Sequence, residues 1–322
     1  MSTVKTEKRI DFDTLSKNIF VISIPIVFII FTFINPNFAS WYNVKNIISS
    51  ICPVLILSAG LTFVLLLGGI DLSTGALCSA TCVLTGLHIA QYGNKFILLM
   101  LALGVVAGLA NGFLVTILKM PSFIATLCTQ SIWSCVALVC SDGSSATIPQ
   151  QDRGVIAWTN VEFLGLPVLF WYTVVVFALL IFFEKKTATG KAIFAMGSNA
   201  EAARMSGVNV VAVQMTAFLL CGVASAATGV YYALTIKGSV PSIGDNLGLM
   251  GIASVAVGGT SLAGGNGSVV RTLFGCAMIV MIRQGMNVIG TDAFWQDIIY
   301  GLIVVLALVF NSDRSLTNRI VK

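Results

Sequence analysis

Long apolar runs recur along the whole chain of 322 residues, and they limit the fold more than any other feature. A helix needs about 20 apolar residues to cross the hydrocarbon core of a bilayer. Backbone polar groups in lipid must pair within their own segment, so runs near this length predict helices. Ten spans are predicted, at residues 19–34, 47–67, 75–90, 96–118, 121–140, 167–183, 211–236, 247–262, 269–289 and 295–310.

Composition supports the same fold class. Charged residues make up 10% of the chain and the mean hydropathy is +0.95, whereas soluble proteins carry about 25% charged residues. The fold class predicted is an all-α polytopic membrane protein. The basic start of the chain resembles a signal peptide, but no small-residue cleavage site follows the first apolar run, which favours a retained first span.

Positive charge is distributed unequally between the two predicted sides. One side carries only Lys45, Lys95, Arg153 and Lys237. The other carries Lys5, Lys8, Arg9, Lys17, Lys119, Lys185, Lys186, Lys191, Arg204, Arg271, Arg314, Arg319 and Lys322. Cytoplasmic segments are enriched in Lys and Arg. This bias predicts a bacterial cytoplasmic-membrane protein with cytoplasmic tails at 1–18 and 311–322, a transmembrane domain at 19–310 and a cytoplasmic loop at 184–209. The external loop at 141–166 is either a landing surface for an extracytoplasmic partner or an ordinary loop.

Several kinds of chemistry are excluded by the residues present. The nearest string to a nucleotide-binding P-loop, Thr189-Gly190-Lys191-Ala192, lacks both the upstream glycine and the final hydroxyl residue. His88 is the only histidine, and no cysteine pair has metal-ligand spacing. Positive residues lie at membrane edges and not in an aromatic-rich basic patch, which argues against nucleic-acid binding. The chain is therefore predicted to have no catalytic residues, cofactor or metal, with lipid as its surroundings.

Two glycine-rich breaks share the pattern GGxxLxxG. They occur at Gly68-Gly69-Ile70-Asp71-Leu72-Ser73-Thr74-Gly75 and at Gly258-Gly259-Thr260-Ser261-Leu262-Ala263-Gly264-Gly265. Matching breaks in two halves are typical of transporters built from repeats, and chance in a glycine-rich chain is the alternative. Asp71 either caps the following helix or contacts a solute, and the position favours the cap.

The cytoplasmic loop contains a short helix signal. Ser198 or Asn199 is placed to cap it, Glu201 lies in its first turn, and Gly207 provides a left-handed stop. Ala202 and Ala203 would give it a small surface, as a helix that fits the cleft of a moving partner requires. Glu201, Ala202, Ala203, Arg204 and Gly207 are the residues predicted to contact that partner.

The neighbouring blocks make a resemblance specific. Five blocks of the chain occur in the same order as in one known family. They are Gly60 to Ser73, Asn111-Gly112 with 121–127, the loop from Gly190 to Asn209, Val257 to Ser268, and Phe294-Trp295-Gln296 with 301–303. In these blocks the chain resembles ABC importer permeases of the ribose and monosaccharide class.

The resemblance implies a fold similar to the ten-helix vitamin B12 type of permease. It also implies a tandem cytoplasmic ATP-binding subunit, a periplasmic or lipid-anchored sugar-binding protein, and a second permease subunit in a homodimer or heterodimer. Gly248 and Met250 replace the Glu-x-Asp pair usual in the family, and Arg283-Gln284 replace asparagines in the ninth span. These departures favour an asymmetric pairing and weaken any inference about which sugar is carried.

Polar residues within predicted spans are candidates for the solute pathway. They are Asn111, Gln130, Trp133, Arg283, Gln284 and Asn287. Arg283 and Asn287 share a helix face, and an ionisable residue in an apolar helix normally faces a cavity or a subunit, unless it reaches the interface by snorkelling. Gln130 and Trp133 could bind and stack on a sugar, although interhelical pairing is an equal alternative.

The function predicted is the permease subunit of an ABC importer for a monosaccharide such as a ribose-like pentose, with ATP hydrolysis on another chain. Three alternatives stay open. They are an ABC permease for a furanose-type signal, a nucleoside or a branched-chain amino acid; an ATP-independent secondary transporter or channel; and an inactive scaffold subunit.

Overall fold

The computed structural model describes residues 12–292, 294–296, 298–299, 301–303 and 305, with side chains from residue 23. The described part of the chain forms eleven continuous α-helices. They are α1 (Phe12–Ile34), α2 (Trp41–Leu66), α3 (Ser73–Tyr92), α4 (Lys95–Thr116), α5 (Ser122–Cys140), α6 (Val168–Lys186), α7 (Ala188–Ser198), α8 (Ala200–Met205), α9 (Val210–Ile236), α10 (Leu247–Val257) and α11 (Val269–Val288).

Seven helices in the described part are long and apolar enough to cross a membrane, namely α2 to α6, α9 and α11. The prediction of an all-α polytopic membrane protein is confirmed. The apolar part of α1, Ser23–Ile34, is shorter. The tenth predicted span is helical at 294–296, 298–299, 301–303 and 305, and its remainder lies outside the described residues, as do 1–11 and 306–322 of the chain.

Helix ends and loops gather on two sides of the bundle. On the α8 side, the Gly265 backbone N–H donates to the Leu66 carbonyl at 2.8 Å. On the opposite side, Lys45 pairs with Glu162 at 3.3 Å. Loops that the charge pattern places together therefore lie together.

The segment predicted as an external loop has structure of its own. It contains β1 (Ala146–Thr147), β2 (Glu162–Phe163), β3 (Leu166–Pro167) and a 3-10 helix at Gln150–Asn160. β1 pairs antiparallel with β4 (Gly238–Ser239), while β2 pairs with β3. Trp158 Nε1 also donates to Asn94 Oδ1 at 3.1 Å. These contacts attach the loop to the ends of α3, α4 and α9.

Helix α9 is the centre of the bundle and packs against α2, α3 and α4. Its contact with α4 depends on glycines one turn apart. A Cβ on Gly104 would lie 2.7 Å from the Gly222 carbonyl oxygen, and one on Gly108 would overlap the Phe218 carbonyl. Small residues at four-residue spacing allow such close approach of two membrane helices. This stripe was not among the sequence predictions.

The eighth span is discontinuous, which corrects the prediction of one helix over 247–262. Helix α10 has 11 residues, about 16 Å or half of the hydrocarbon thickness. It ends beside the first turn of α11, because a Cβ on Gly258 would lie 2.6 Å from the Arg271 carbonyl oxygen. Its first residue, Leu247, therefore lies near the middle of the membrane.

The other half of this span is an irregular segment, Gly238 to Asn246, that descends along α3. Gly238 lies against Gly86 and Gly244 lies against Gly75, and a Cβ at either contact would overlap backbone. Those two positions on α3 are 11 residues apart, about 16 Å. The Gly244 N–H donates to Ser79 Oγ at 2.9 Å. Non-helical backbone at this depth is tolerated only inside protein or beside a water-filled cavity.

Candidate functional site

Both glycine-rich breaks meet the end of α7 on the α8 side. A Cβ on Gly264 would lie 2.9 Å from the Gly68 nitrogen and 3.1 Å from the Gly197 oxygen. A Cβ on Gly197 would overlap the Leu66 carbonyl and lie 2.5 Å from the Gly265 nitrogen. We call Gly68, Gly197, Gly264 and Gly265 the glycine junction. Three separate chain segments can approach this closely only because these positions lack side chains.

Helices α7 and α8 are built from local capping signals. Thr187 Oγ1 accepts a hydrogen bond from the Gly190 N–H at 2.9 Å, and Asn199 Oδ1 accepts one from the Ala202 N–H at 3.0 Å. Of the two predicted caps of α8, Asn199 is the one used. Such caps satisfy backbone donors that a helix start leaves unpaired. Gly207, at φ +84°, follows the end of α8.

The surface of α8 is small and mixed in character. Glu201 and Arg204 form an exposed ion pair at 2.8 Å, and Ala202 is exposed between them. Ala203 is only 5% exposed and packs into the apolar core with Ile193 and Met196. The small surface predicted for Ala202 and Ala203 therefore consists of Ala202 alone.

Met205 is the functional candidate that sequence reasoning missed. Its side chain is 83% exposed, on a helix that already buries Ala203. Met205 lies three residues after Ala202 and four after Glu201, so helical spacing places it on their face. An exposed methionine is an adaptable apolar contact for a partner surface.

Glu184 connects the base of the loop to the second half of the chain. Its side chain is buried, and Oε2 accepts a hydrogen bond from the Val269 N–H at 3.2 Å. A carboxylate at the start of a helix is favoured by the helix dipole, and here it joins the end of α6 to the start of α11. The base of the loop is therefore bonded to α11, while the end of α7 contacts the glycine junction.

A buried polar network follows the first glycine break. Asp71 Oδ1 accepts hydrogen bonds from the Ser73 N–H at 2.9 Å and from Ser73 Oγ at 2.6 Å. Asn111 Nδ2 donates to Ser73 Oγ at 2.8 Å, and Thr129 Oγ1 donates to Asn111 Oδ1 at 2.7 Å. Asp71 thus caps the start of α3. Burial raises the pKa of Asp71, and the Ser73 donors oppose that rise.

The location of Asn111 favours a bracing role over contact with a solute. The side chain is 2% exposed, and its amide links α3, α4 and α5. Gln130 and Trp133 are both partly buried on α5, and Trp133 packs against Ala80 and Val83 of α3. Of the pathway residues predicted in the first half of the chain, Asn111 therefore joins helices, while Gln130 and Trp133 stay partly accessible.

The residues predicted on α11 are nearer the surface of the chain. Arg283 is exposed, its charge interacts with Tyr232, and it forms no ion pair within the described part of the chain. Gln284 Nε2 donates to Asn43 Oδ1 at 3.3 Å. Asn287 Oδ1 accepts from Gln296 Nε2 at 2.7 Å. Of the three, Gln284 and Asn287 form side-chain hydrogen bonds within the bundle, whereas the charged Arg283 forms no ion pair with any described residue.

The discontinuous eighth span adds polar side chains that sequence reasoning did not single out. Ser242, Asp245 and Asn246 are exposed on the irregular segment that leads into α10. A carboxylate facing lipid at this depth costs several kcal/mol, so these groups belong on a face that a cavity or a second subunit covers. Pro241 and Gly244 in this segment were the available signals for a broken helix. Among the described residues, no three His, Cys, Asp or Glu side chains cluster to hold a metal ion.

One protein family, described as the permease component of the branched-chain amino acid transport system, matches residues 43–308. The chain belongs to this permease family. The resemblance inferred from separate sequence blocks is thereby confirmed. The chain is a multi-pass membrane permease.

Curated relatives of this permease cover nearly its whole length. The ribose import permease protein of Bacillus subtilis is 33% identical over 96% of this chain and 97% of its own. The ribose import permease protein of Escherichia coli strain K12 is 29% identical, over 91% and 93%. The autoinducer 2 import system permease protein of Photorhabdus luminescens is 30% identical, over 90% and 88%. No solved structure matches this permease.

Proposed function

We propose that this permease is the membrane subunit of an ABC importer that carries a monosaccharide, a ribose-like pentose or similar sugar, across the bacterial cytoplasmic membrane. Both termini and α8 face the cytoplasm. A separate tandem ATP-binding subunit supplies the energy, a periplasmic or lipid-anchored protein delivers the sugar, and a second permease subunit completes the pathway. The fold class of the vitamin B12-type permeases is part of this proposal.

The observation that carries the proposal is the attachment of α8 to both halves of the bundle. Helix α8 exposes Ala202, Met205 and the Glu201–Arg204 pair, while Ala203 fixes it to the core. The end of α7 is held at the glycine junction, where backbone contacts leave little room for independent movement. A displacement of α8 by a partner would therefore move both glycine breaks together.

The discontinuous eighth span supports transport of a neutral, hydroxyl-rich solute. Half-helix ends near the middle of the membrane mark binding sites in transporters. Ser242, Asp245 and Asn246 lie at the start of α10, and Gln130, Trp133 and Arg283 are candidates on other helices. Hydroxyl and amide groups bind a sugar through hydrogen bonds without a fixed countercharge, which suits release as well as capture.

The identity of the solute rests on relatives. Two of the most similar proteins are named for ribose import, in Bacillus subtilis and Escherichia coli. A second candidate is a furanose-type signal, which the similarity to an autoinducer 2 import permease favours. Uptake measured with the receptor present, against a panel of pentoses, hexoses and the autoinducer, distinguishes the two candidates.

The coupling role is tested with Ala202→Trp, which adds bulk to the exposed face of α8 without entering the core. We expect binding of the ATP-binding subunit to weaken roughly tenfold or more, as for a residue at the centre of an interface, with ATP-driven uptake falling accordingly. Co-purification and proteoliposome uptake are the measurements. Ala203→Trp is uninformative here, since Ala203 is buried and the change disturbs folding.

Ala157→Trp is the matched control, because Ala157 is exposed on the opposite side of the bundle. It should leave binding of the ATP-binding subunit unchanged. Equal binding by Ala202→Trp and wild type, with ATP-driven uptake intact, would contradict the assignment of α8 as the coupling helix.

A further inference from the structure

An apolar groove of about 920 Å³ lies between α3 and α4, outside the coupling and pathway regions. Its apolar walls are Leu84 of α3 and, on α4, Leu99, Met100, Leu103 and Val106. From Lys95 to Val106 it follows 11 residues of helix, about 16 Å, which is close to the depth of one leaflet of hydrocarbon. Leu99 and Val106 are 57% and 61% exposed, so the groove opens sideways from the bundle.

The end of the groove at the membrane surface is polar and cationic. His88, Tyr92 and Lys95 line it there, and the Tyr92 ring stacks on Phe96 with centroids 5.7 Å apart. Tyrosine is typical of the interface between hydrocarbon and headgroups. Lys95 is the first residue of α4, whose Asn94 cap makes no side-chain hydrogen bond to the helix. The partial positive charge of this helix end adds to that of the lysine.

Lys95 differs from three other cations on its side of the bundle. Lys45 pairs with Glu162, Lys237 Nζ donates to Asn160 Oδ1 at 2.7 Å, and Arg153 Nε donates to the Ile148 carbonyl at 3.0 Å. Lys95 has no hydrogen bond or ion pair to any residue that the structure describes. Its charge is therefore available to a ligand at the mouth of the groove.

We propose that this groove binds one phospholipid with an anionic headgroup. One acyl chain lies between Leu84 of α3 and the α4 leucines, and the headgroup phosphate pairs with Lys95 beside the Tyr92 hydroxyl. The groove has the length of a single chain in one leaflet, and its one unpaired charge has the sign opposite to that of the headgroup. This lipid supports α3, against which the irregular half of the eighth span packs.

Native mass spectrometry of the full-length permease tests the proposal. The protein is titrated with phosphatidylglycerol or with phosphatidylcholine of the same acyl chains. Lys95→Gln should lower phosphatidylglycerol affinity about fivefold and leave phosphatidylcholine affinity unchanged, the size expected for one lysine at a headgroup. Ala102→Trp, which fills the groove from an exposed position, should lower both affinities.

Two controls lie on or beside the same helix. Lys119→Gln removes an exposed lysine after the opposite end of α4, and Ala110→Trp adds bulk at an exposed position outside the groove. Both should retain wild-type lipid binding. The proposal is overturned if Lys95→Gln keeps the wild-type preference for phosphatidylglycerol, or if Ala110→Trp matches Ala102→Trp. It is also overturned if Ala102→Trp separates a dimer without loss of lipid, since a second copy then fills the groove.

Discussion

The two glycine-rich breaks have the same sequence pattern, and they share the structure of the helix end but not the path of the chain after it. Helix α2 ends at Leu66, and Gly68 has φ +74°. Helix α10 ends at Val257, and Gly259 has φ +82°. In each case the residue after that glycine donates its N–H to a carbonyl five residues back, Gly69 to Val64 and Thr260 to Val255. Both are Schellman-type helix ends, with the left-handed glycine at the first position of one pattern and the second position of the other.

Beyond that turn the two breaks share one further bond and then diverge. Asp71 Oδ1 and Ser261 Oγ, at the same position of the pattern, accept the N–H groups of Ser73 and Ala263. Gly75, the last glycine of the first pattern, is inside α3 and contacts the backbone of Gly244. Gly265, its counterpart, is in a turn at φ +75° and bonds to Leu66. The first break starts a helix in the bundle within a few residues, whereas the second builds the glycine junction. A repeated motif thus preserves how a helix ends, while tertiary contacts determine the path of the chain after the turn.

The largest effect is expected where a glycine allows two backbones to touch. Gly75→Ala places a Cβ against the Gly244 carbonyl, and neither α3 nor the backbone at Gly244 can easily move away. We expect a loss of about 3 kcal/mol in the free energy of unfolding, at the upper end of overpacking costs. Reversible unfolding in detergent measures it. Gly154→Ala, at a position with open space around it, is the control and should change little.

A smaller effect separates the two possible alignments of the breaks. Gly259→Val should cost about 1–2 kcal/mol more than Gly259→Asn, because asparagine tolerates the left-handed region that valine does not. Gly258, at φ −66°, should show no such preference for asparagine. The same unfolding measurement applies. A preference for asparagine at Gly258 and not at Gly259 would mean that the breaks align as their sequences suggest.

The smallest effect concerns Asp71, because Ser261, the residue at the same position of the second pattern, does not ionise in this pH range. Its pKa is raised above the ordinary 3.8 by burial, so the stability it contributes is complete at low pH and is lost as the pH rises through the raised value. Asp71→Asn keeps an acceptor for Ser73 and cannot ionise. We expect its unfolding free energy, relative to wild type, to increase as the pH rises from acid to neutral. A parallel pH dependence in the two proteins would contradict a raised pKa.

Much of the fold was predictable because lipid imposes a simple rule on long apolar runs. Span positions, the grouping of loops on two sides and the short capped helix at Ala200–Met205 follow from hydropathy, charge and local caps. The broken eighth span did not follow, since its irregular half, Gly238 to Asn246, lies before the predicted bounds of 247–262. The path of that half depends on contacts of Gly238 and Gly244 with α3. Local sequence does not report such long-range contacts.

In the candidate site, too, the sequence alone did not predict which single residues are exposed and which are buried. Ala202 and Ala203 are identical in sequence terms, yet one is exposed and the other is 5% exposed, because only packing against Ile193 and Met196 distinguishes them. Asn111 looked like a pathway residue since it is polar within a span, but its partners Ser73 and Thr129 come from other helices. Met205 and the Gly104–Gly108 stripe were readable from helical spacing alone.

Dependence of this permease on its partners is tested by sugar uptake in proteoliposomes that hold the purified protein with and without the ATP-binding subunit and the receptor. We expect saturable uptake only when both partners and ATP are present, and we expect Ala202→Trp to abolish it. Saturable uptake by the permease alone, without nucleotide, would contradict this dependence.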